Sequence, residues 1–211
     1  MNLDVLPVLY CPFGKFGEIS ADPNAEGWSQ IAGVSFRDVV TGAAPQQGTT
    51  AKAGWDGVDL RFLFCAEDTH PWATLTQRDA PLYQEETVEV FLDAVGDLQS
   101  YFEFEVNPLN AVLDLVVRRT RRGLVKNFAW RCEGLRTAVQ KTETGWNAEL
   151  AIPLGSVAAQ TPLAGERWRV NFCRIDRPQG EARELTAWSP TGHPQFHMAE
   201  RFGTLEFGAK T

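Results

Sequence analysis

The sequence predicts an all-β fold, an antiparallel β-sandwich of jelly-roll or immunoglobulin-like type. Three observations carry that expectation. Apolar residues alternate with period two in many short runs. Gly, Pro, Asn and Asp punctuate the runs at close intervals, and no window sustains a helical period. The whole chain, 1–211, reads as a single sandwich domain without a linker or an internal repeat.

The elements follow in chain order. Residues 34–40 form a weak strand candidate, and the Pro/Gln/Gly-rich stretch 41–48 reads as a hairpin connection to a second one at 49–55. The run VDLRFLFCA at 58–66 puts Leu60, Phe62 and Phe64 on one face. TVEVFLD at 87–93 does so with Val88, Val90 and Leu92, and YFEFEVN at 101–107 with Phe102, Phe104 and Val106. Weaker candidates lie at 111–117, 127–132 and 135–141. GWNAELAIP at 145–153 aligns Trp146, Ala148, Leu150 and Ile152, after which 155–160 offers one short helical turn. RWRVNFCRI at 167–175 aligns Trp168, Val170 and Phe172, and a last weak strand falls at 202–207.

Composition narrows the function. Hydrophobic residues make up 44% and charged residues 22%, enough apolar material for a core between two layers. The formal net charge of -7 makes nucleic acid a poor partner and does not favour anionic membranes. No apolar run is long enough for membrane insertion, and Met1 to Tyr10 lacks the basic and apolar regions of a signal peptide. The four cysteines, Cys11, Cys65, Cys132 and Cys173, show no metal-ligand spacing; two bridges or four buried thiols are both open, thiols being favoured. Seven Trp, three Tyr and thirteen Phe exceed what turns need, and most belong in the core. An exposed indole or phenol would give a flat plane for the C–H face of a sugar ring.

The faces opposite the core runs carry Glu89 and Asp93, Glu103, Glu105 and Asn107, and Arg167, Arg169 and Asn171. Such a face serves as a solvated sheet surface with weak cross-strand ion pairs. It equally suits sugar recognition, where hydroxyls need paired donors and acceptors beside an apolar plane. Periodicity alone leaves both readings open.

Three segments resemble the family 9 carbohydrate-binding modules, in their DOMON-like form. They are WATLTQRDAPLYQEETVEVFLD at 72–93, YFEFEVNPLNAVLDL at 101–115, and the stretch from GWNAELAIP through RWRVNFCRID to ELTAWSPTGHPQFHMAERFGTLEF, ending at Phe207. Together they cover most of the chain after Asp56, and the N-terminal quarter matches loosely. The resemblance implies a β-sandwich that binds a neutral sugar or oligosaccharide without catalysis, two aromatic rings clamping a ring and polar side chains fixing its hydroxyls. It implies that Tyr83 stands where the family has a clamp Trp, with Trp72 nearby, and that Trp188 is the second clamp. Glu89 matches the family Glu and Asn107 is retained, whereas Glu105 replaces a family Arg and removes a fork-shaped donor. With Arg174 these make the expected carbohydrate site: Trp72, Tyr83, Glu89, Glu105, Asn107, Arg174 and Trp188. Only the resemblance suggests an extracellular or periplasmic setting. No cofactor is required; calcium, implied as a support for loops, stays open, with Asp22, Asp93, Asp97 and Asp114 as the candidate loop carboxylates.

Other chemistries draw less support from the residues. A glycoside hydrolase would use a pair from Glu89, Glu103 and Glu105, two apart on one strand being about 6–7 Å. A haem module would use Met198 with a histidine, but His197 and Met198 are adjacent and face opposite ways on a strand. His193 and His197 have helical zinc spacing but lie among Pro190, Gly192 and Pro194, which oppose a helix.

Overall fold

The computed structural model describes residues 5–210, and they form a two-layer β-sandwich. The strands are β1 (Val8–Cys11), β2 (Val34–Ser35), β3 (Arg37–Asp38), β4 (Thr49–Trp55), β5 (Asp59–Glu67), β6 (Thr87–Asp93) and β7 (Ser100–Val106). They continue with β8 (Val112–Thr120), β9 (Gly123–Asn127), β10 (Arg136–Thr142), β11 (Gly145–Pro153), β12 (Arg167–Asp176), β13 (Glu184–Ala187) and β14 (Gly203–Phe207). One short helix, α1 (Leu154–Val157), follows β11 where the sequence asked for a helical turn.

Nine strands make the larger sheet, ordered β1-β14-β12-β6-β7-β8-β9, with β13 beside β12 and β3 beyond it. Five make the other, ordered β10-β11-β5-β4-β2. All pairings are antiparallel except β1 with β14. Strand β12 is long enough to pair with β14 over its first half and with β13 over its second. The stretch 41–48 is therefore no simple hairpin: β2 pairs with β4 in the small sheet, but β3 crosses to the large one.

The period-two faces meet between the layers. Leu60, Phe62, Phe64, Trp146, Ala148, Leu150 and Ile152 from the small sheet pack on Val88, Val90, Leu92, Phe104, Val106, Trp168, Val170 and Phe172 from the large one. Rings interlock edge-on there, as at Phe62–Phe172 with centroids 5.2 Å apart. Each such fully buried side chain contributes about 1.5–3 kcal/mol by removal from water. Gly145 starts β11 against the carbonyl of Ala66, where a Cβ would stand 2.0 Å from the oxygen, so no side chain fits.

Two smaller apolar clusters cover the outer faces. Trp28, Leu63 and Ala21 lie behind the small sheet. Behind the large sheet, Phe91, Tyr101, Leu113, Leu115 and Cys173 are roofed by Leu82, Phe196, Ala199 and Phe202. The second cluster matters for function, because the roof is incomplete. All four cysteines are free thiols, three buried and Cys65 half-buried. No helix among the described residues is long and apolar enough to cross a membrane.

Candidate functional site

The gap in that roof is a pocket of about 160 Å³ whose walls include Tyr83, Lys126, Arg183 and His197 and whose floor includes Glu89 and Glu103. The sheet dictates the floor. Glu89 on β6 lies directly across from Glu105 on β7, and Glu103 is two residues along β7 on the same face. Cys173 on β12 lies across from Glu89 on its other side. The three glutamates are buried, and one carboxylate oxygen of each lies within 4.8 Å of the others. They converge more tightly than strand spacing alone predicts, because the side chains lean together.

Their electrostatics follow from that crowding. Burial first, and then the Glu103 carboxylate, push Glu89 well above the usual carboxylate range. Burial and then the charges of Glu89 and Glu103 do the same to Glu105. Burial raises Glu103 as well, against the pull of Lys126, whose Nζ is 3.6 Å from Glu103 Oε2. His197 shares a 3.0 Å hydrogen bond between Nδ1 and the Tyr101 hydroxyl, and its Nε2 is 3.8 Å from Glu103 Oε1. Burial, then Lys126, lower it to about 3, so the ring is neutral at ordinary pH. Tyr83 closes one side with its ring 36% exposed and Lys126 Nζ 5.6 Å from its centroid.

A second acidic cluster lies where β5, β6 and β12 meet the connecting loops. Asp68, Glu86 and Asp176 each bring a carboxylate oxygen within 4.8 Å of the others. Arg174 bonds Asp68 at 2.8 Å and reaches Asp176 at 3.2 Å. The Trp72 N–H donates to Glu86, the His70 N–H to Asp68 and the Gln47 amide to Asp176. Glu86 Oε1 is left without a hydrogen bond. Burial, against the Trp72 N–H and with the charges of Asp68 and Asp176, pushes Glu86 up to about 8.

Of the seven expected site residues, the structure brings Tyr83, Glu89 and Glu105 together and separates the other four. Trp188 is 6% exposed, packs on Phe172 with centroids 5.5 Å apart and ring planes tilted by 38°, and fits against Gly203, where a Cβ would meet its ring at 2.4 Å. It is a core residue whose edge reaches a different pocket, of about 340 Å³, with Pro7, Val34 and Pro190. Arg174 points into the sandwich and is held by Asp68, Asp176, Thr49 and the Glu67 carbonyl. Asn107 turns the β7–β8 loop: its amide donates to the Leu75 carbonyl and accepts from the N–H groups of Leu109 and Ala111. Trp72 is 39% exposed in the loop above Glu86, outside the walls of the glutamate pocket.

The four loop aspartates considered for calcium all have partners within the protein. Asp22, Asp93 and Asp97 accept backbone N–H groups of their own turns. Asp114 is bound by the Arg78 guanidinium and the Cys132 N–H. Sequence reasoning put Glu103 on the polar sheet face but not among the site residues, named His197 only for other chemistries, and missed Lys126 and Arg183 altogether. Lys126 lies in β9, whose residues are mostly exposed and show no alternation to signal a strand. Larger clefts exist, one of about 540 Å³ lined by Phe36, Thr50 and Glu67 among others, but neither carboxylate triad lines it.

This is an antiparallel sandwich with a small polar pocket, one exposed ring at its rim, on the outer face of the larger sheet. A family model described as "Carbohydrate family 9 binding domain-like" matches residues 21–209, and the chain belongs to that family of binding modules. Solved structures share the fold. One, described as a candidate carbohydrate-binding protein from Bacteroides uniformis ATCC 8492, superposes with a TM-score of 0.77 at 18% identity, over 96% of this chain and 100% of its own. A family 9 module from Caldicellulosiruptor kristjanssonii in complex with cellotriose gives 0.71 at 18% identity, covering 97% and 95%. Its complex with glucose gives 0.70 at 16% identity, covering 97% of each. No curated protein matches the sequence.

Proposed function

We propose that this domain binds a neutral sugar without cutting it, and that the ring sits in the pocket beside Tyr83. The carrying observation is the exposed Tyr83 ring above a floor of Glu89 and Glu103, with the Lys126 and Arg183 side chains on the walls. The ring supplies a stacking plane, the carboxylates accept from hydroxyls, and the cationic groups donate to them. A pocket of about 160 Å³ is smaller than the roughly 300–1,000 Å³ of drug-sized sites, which suits one terminal sugar ring instead of a long chain. The glutamates all rise from one sheet face, whereas hydrolysis needs carboxyl groups on either side of a glycosidic bond. Family membership also favours binding over catalysis.

The test is calorimetric titration with glucose, cello-oligosaccharides and a wider panel, alongside an assay for released product. Binding without product is expected, with Tyr83→Ala weakening it about tenfold through loss of the stacking plane. Failure of every sugar to bind, or an unchanged affinity in folded Tyr83→Ala, sinks the reading.

Calcium belongs to the same proposal, at a different place from the loop aspartates. Asp68, Glu86 and Asp176 fit the ion: three hard oxygen donors converge, Glu86 Oε1 is orphaned, and one guanidinium leaves the cluster negative. Calcium added to chelator-treated protein at pH 7.5 should raise the melting temperature by several degrees. An unchanged melting temperature at millimolar calcium removes it.

A further inference from the structure

The hairpin of β8 and β9 reverses the sign of the chain. The protein carries a net charge of -7, yet no Asp or Glu occurs between Asp114 and Glu133, and six of the 20 Lys and Arg residues fall there. They are Arg118, Arg119, Arg121, Arg122, Lys126 and Arg131. Arg119 meets Glu200 at 2.9 Å, and Lys126 meets Glu103 at 3.6 Å. Arg118, Arg121 and Arg122 are exposed, and no carboxylate among the described residues stands within ion-pair distance of them.

The turn holds two of them in place. Thr120 pairs with Gly123, so Arg121 and Arg122 are the turn itself. The Thr120 hydroxyl donates to the Gly123 carbonyl at 2.7 Å and accepts from the Arg122 N–H at 3.2 Å. Strand β9 is an edge of the large sheet, with β8 as its neighbour. Charges on an edge strand deter pairing with other chains, and either sign serves for that. One sign clustered on a chain of the opposite sign does more, because it creates a local field that gathers anions.

The surroundings narrow the source of the anion. Lys126 belongs to two places: it lines the Tyr83 pocket, and it stands opposite Val117 in the hairpin. Arg119 is two residues beyond Val117, about 7 Å further along the same face. A cationic track therefore starts at the pocket wall and runs to the turn. The apolar side chains of β9 give no single face to sink into a bilayer. Leu124, 39% exposed, shares the side of Lys126, and Val125, 54% exposed, points to the other.

We propose that the β8–β9 hairpin binds an acidic polysaccharide, whose carboxylate or sulfate groups are taken by Arg118, Arg121 and Arg122 beside the sugar pocket. A guanidinium offers a planar fork of donors that grips such oxyanions through two hydrogen bonds at once. The choice of a saccharide over other polyanions rests on the sugar reading of the pocket; the charge pattern does not.

The experiment is calorimetric titration with polygalacturonate, its uncharged methyl ester and dextran sulfate, at low ionic strength and at about 0.15 M salt. The native chain is compared with the triple variant Arg118→Gln, Arg121→Gln, Arg122→Gln. The native chain should bind polygalacturonate, dextran sulfate or both, more weakly at the higher salt, and the variant should lose about tenfold in affinity. The two polymers tell carboxylate from sulfate. The variant removes exposed side chains without ion-pair partners, so it should melt with the native chain; should it melt lower, Arg122→Gln is read alone. No binding to either acidic polymer overturns the proposal, and so does binding that the variant or the methyl ester retains in full. Tighter binding of phosphatidylserine vesicles or single-stranded DNA than of either polysaccharide overturns the saccharide assignment. A chain that binds the acidic polymers through the hairpin but no glucose keeps this inference and loses the pocket reading; the reverse loses this one alone.

Discussion

Two buried acidic triads, one on the outer face of the large sheet and one where β5 of the small sheet meets β6 and β12, differ in what answers their charge. Around Asp68, Glu86 and Asp176, one guanidinium and three neutral N–H donors are already in place. Around Glu89, Glu103 and Glu105 there are the Lys126 ammonium at 3.6 Å from Glu103, the Arg183 side chain on the pocket wall and a neutral imidazole. The first arrangement ties together β5, the loop before β6, and the end of β12. The second forms the floor of the pocket beside Tyr83. The first triad is held from more sides than the second, yet it keeps an orphaned oxygen on Glu86, which is what leaves it able to take an ion.

The largest effect that tests the contrast is Arg174→Met. It strands Asp68 and Asp176 without their cation, and breaking a buried pair of this kind costs about 3–5 kcal/mol. Denaturant unfolding measures that loss; a change under about 1 kcal/mol would mean the two triads are alike. Glu105→Gln, by contrast, should cost the metal-free protein nothing.

A smaller effect is the pH dependence of the metal-free protein. Glu86 titrates at about 8 in the folded chain and near about 4.3 unfolded. The stability from keeping it protonated is fully present below the unfolded value and disappears as the pH rises through about 8. Glu89 and Glu105 are raised in the same direction. Melting temperature should therefore fall between pH 5 and 8.5, and less steeply in Glu86→Gln. A melting temperature that climbs over this range contradicts the assignment of protonated, buried acids.

The sequence made the frame readable and much of the site unreadable, for separable reasons. Strands β6 and β11 begin and end where alternation predicts, because both their neighbours are strands and their inner faces are wholly apolar. The edge strand β9 escaped notice because Leu124 and Val125 are both exposed and nothing imposes period two. The proposed strand at 127–132 instead falls in the turn after β9. Likewise β13 is four residues long and β1 rests on a parallel partner nearly two hundred residues away. Glu89 and Glu105 were legible as a polar face on consecutive hairpin strands. The inward direction of Trp188 was not legible, because it follows from a backbone bond to Phe172 just beyond the pairing of β13 with β12, which no local pattern reveals. Arg174 follows inward-facing Val170 and Phe172 at period two, so its place on the core side was available from the alternation itself.

The parallel pairing of β1 with β14 has a mechanical consequence. Residues 8 to 11 run alongside 204 to 207 in the same direction, joined as a four-residue ladder. Tension that draws the leading end of β1 away from the trailing end of β14 pulls the two strands along each other in opposite senses. The load then falls on the whole ladder in shear, and its hydrogen bonds must yield together instead of unzipping one after another.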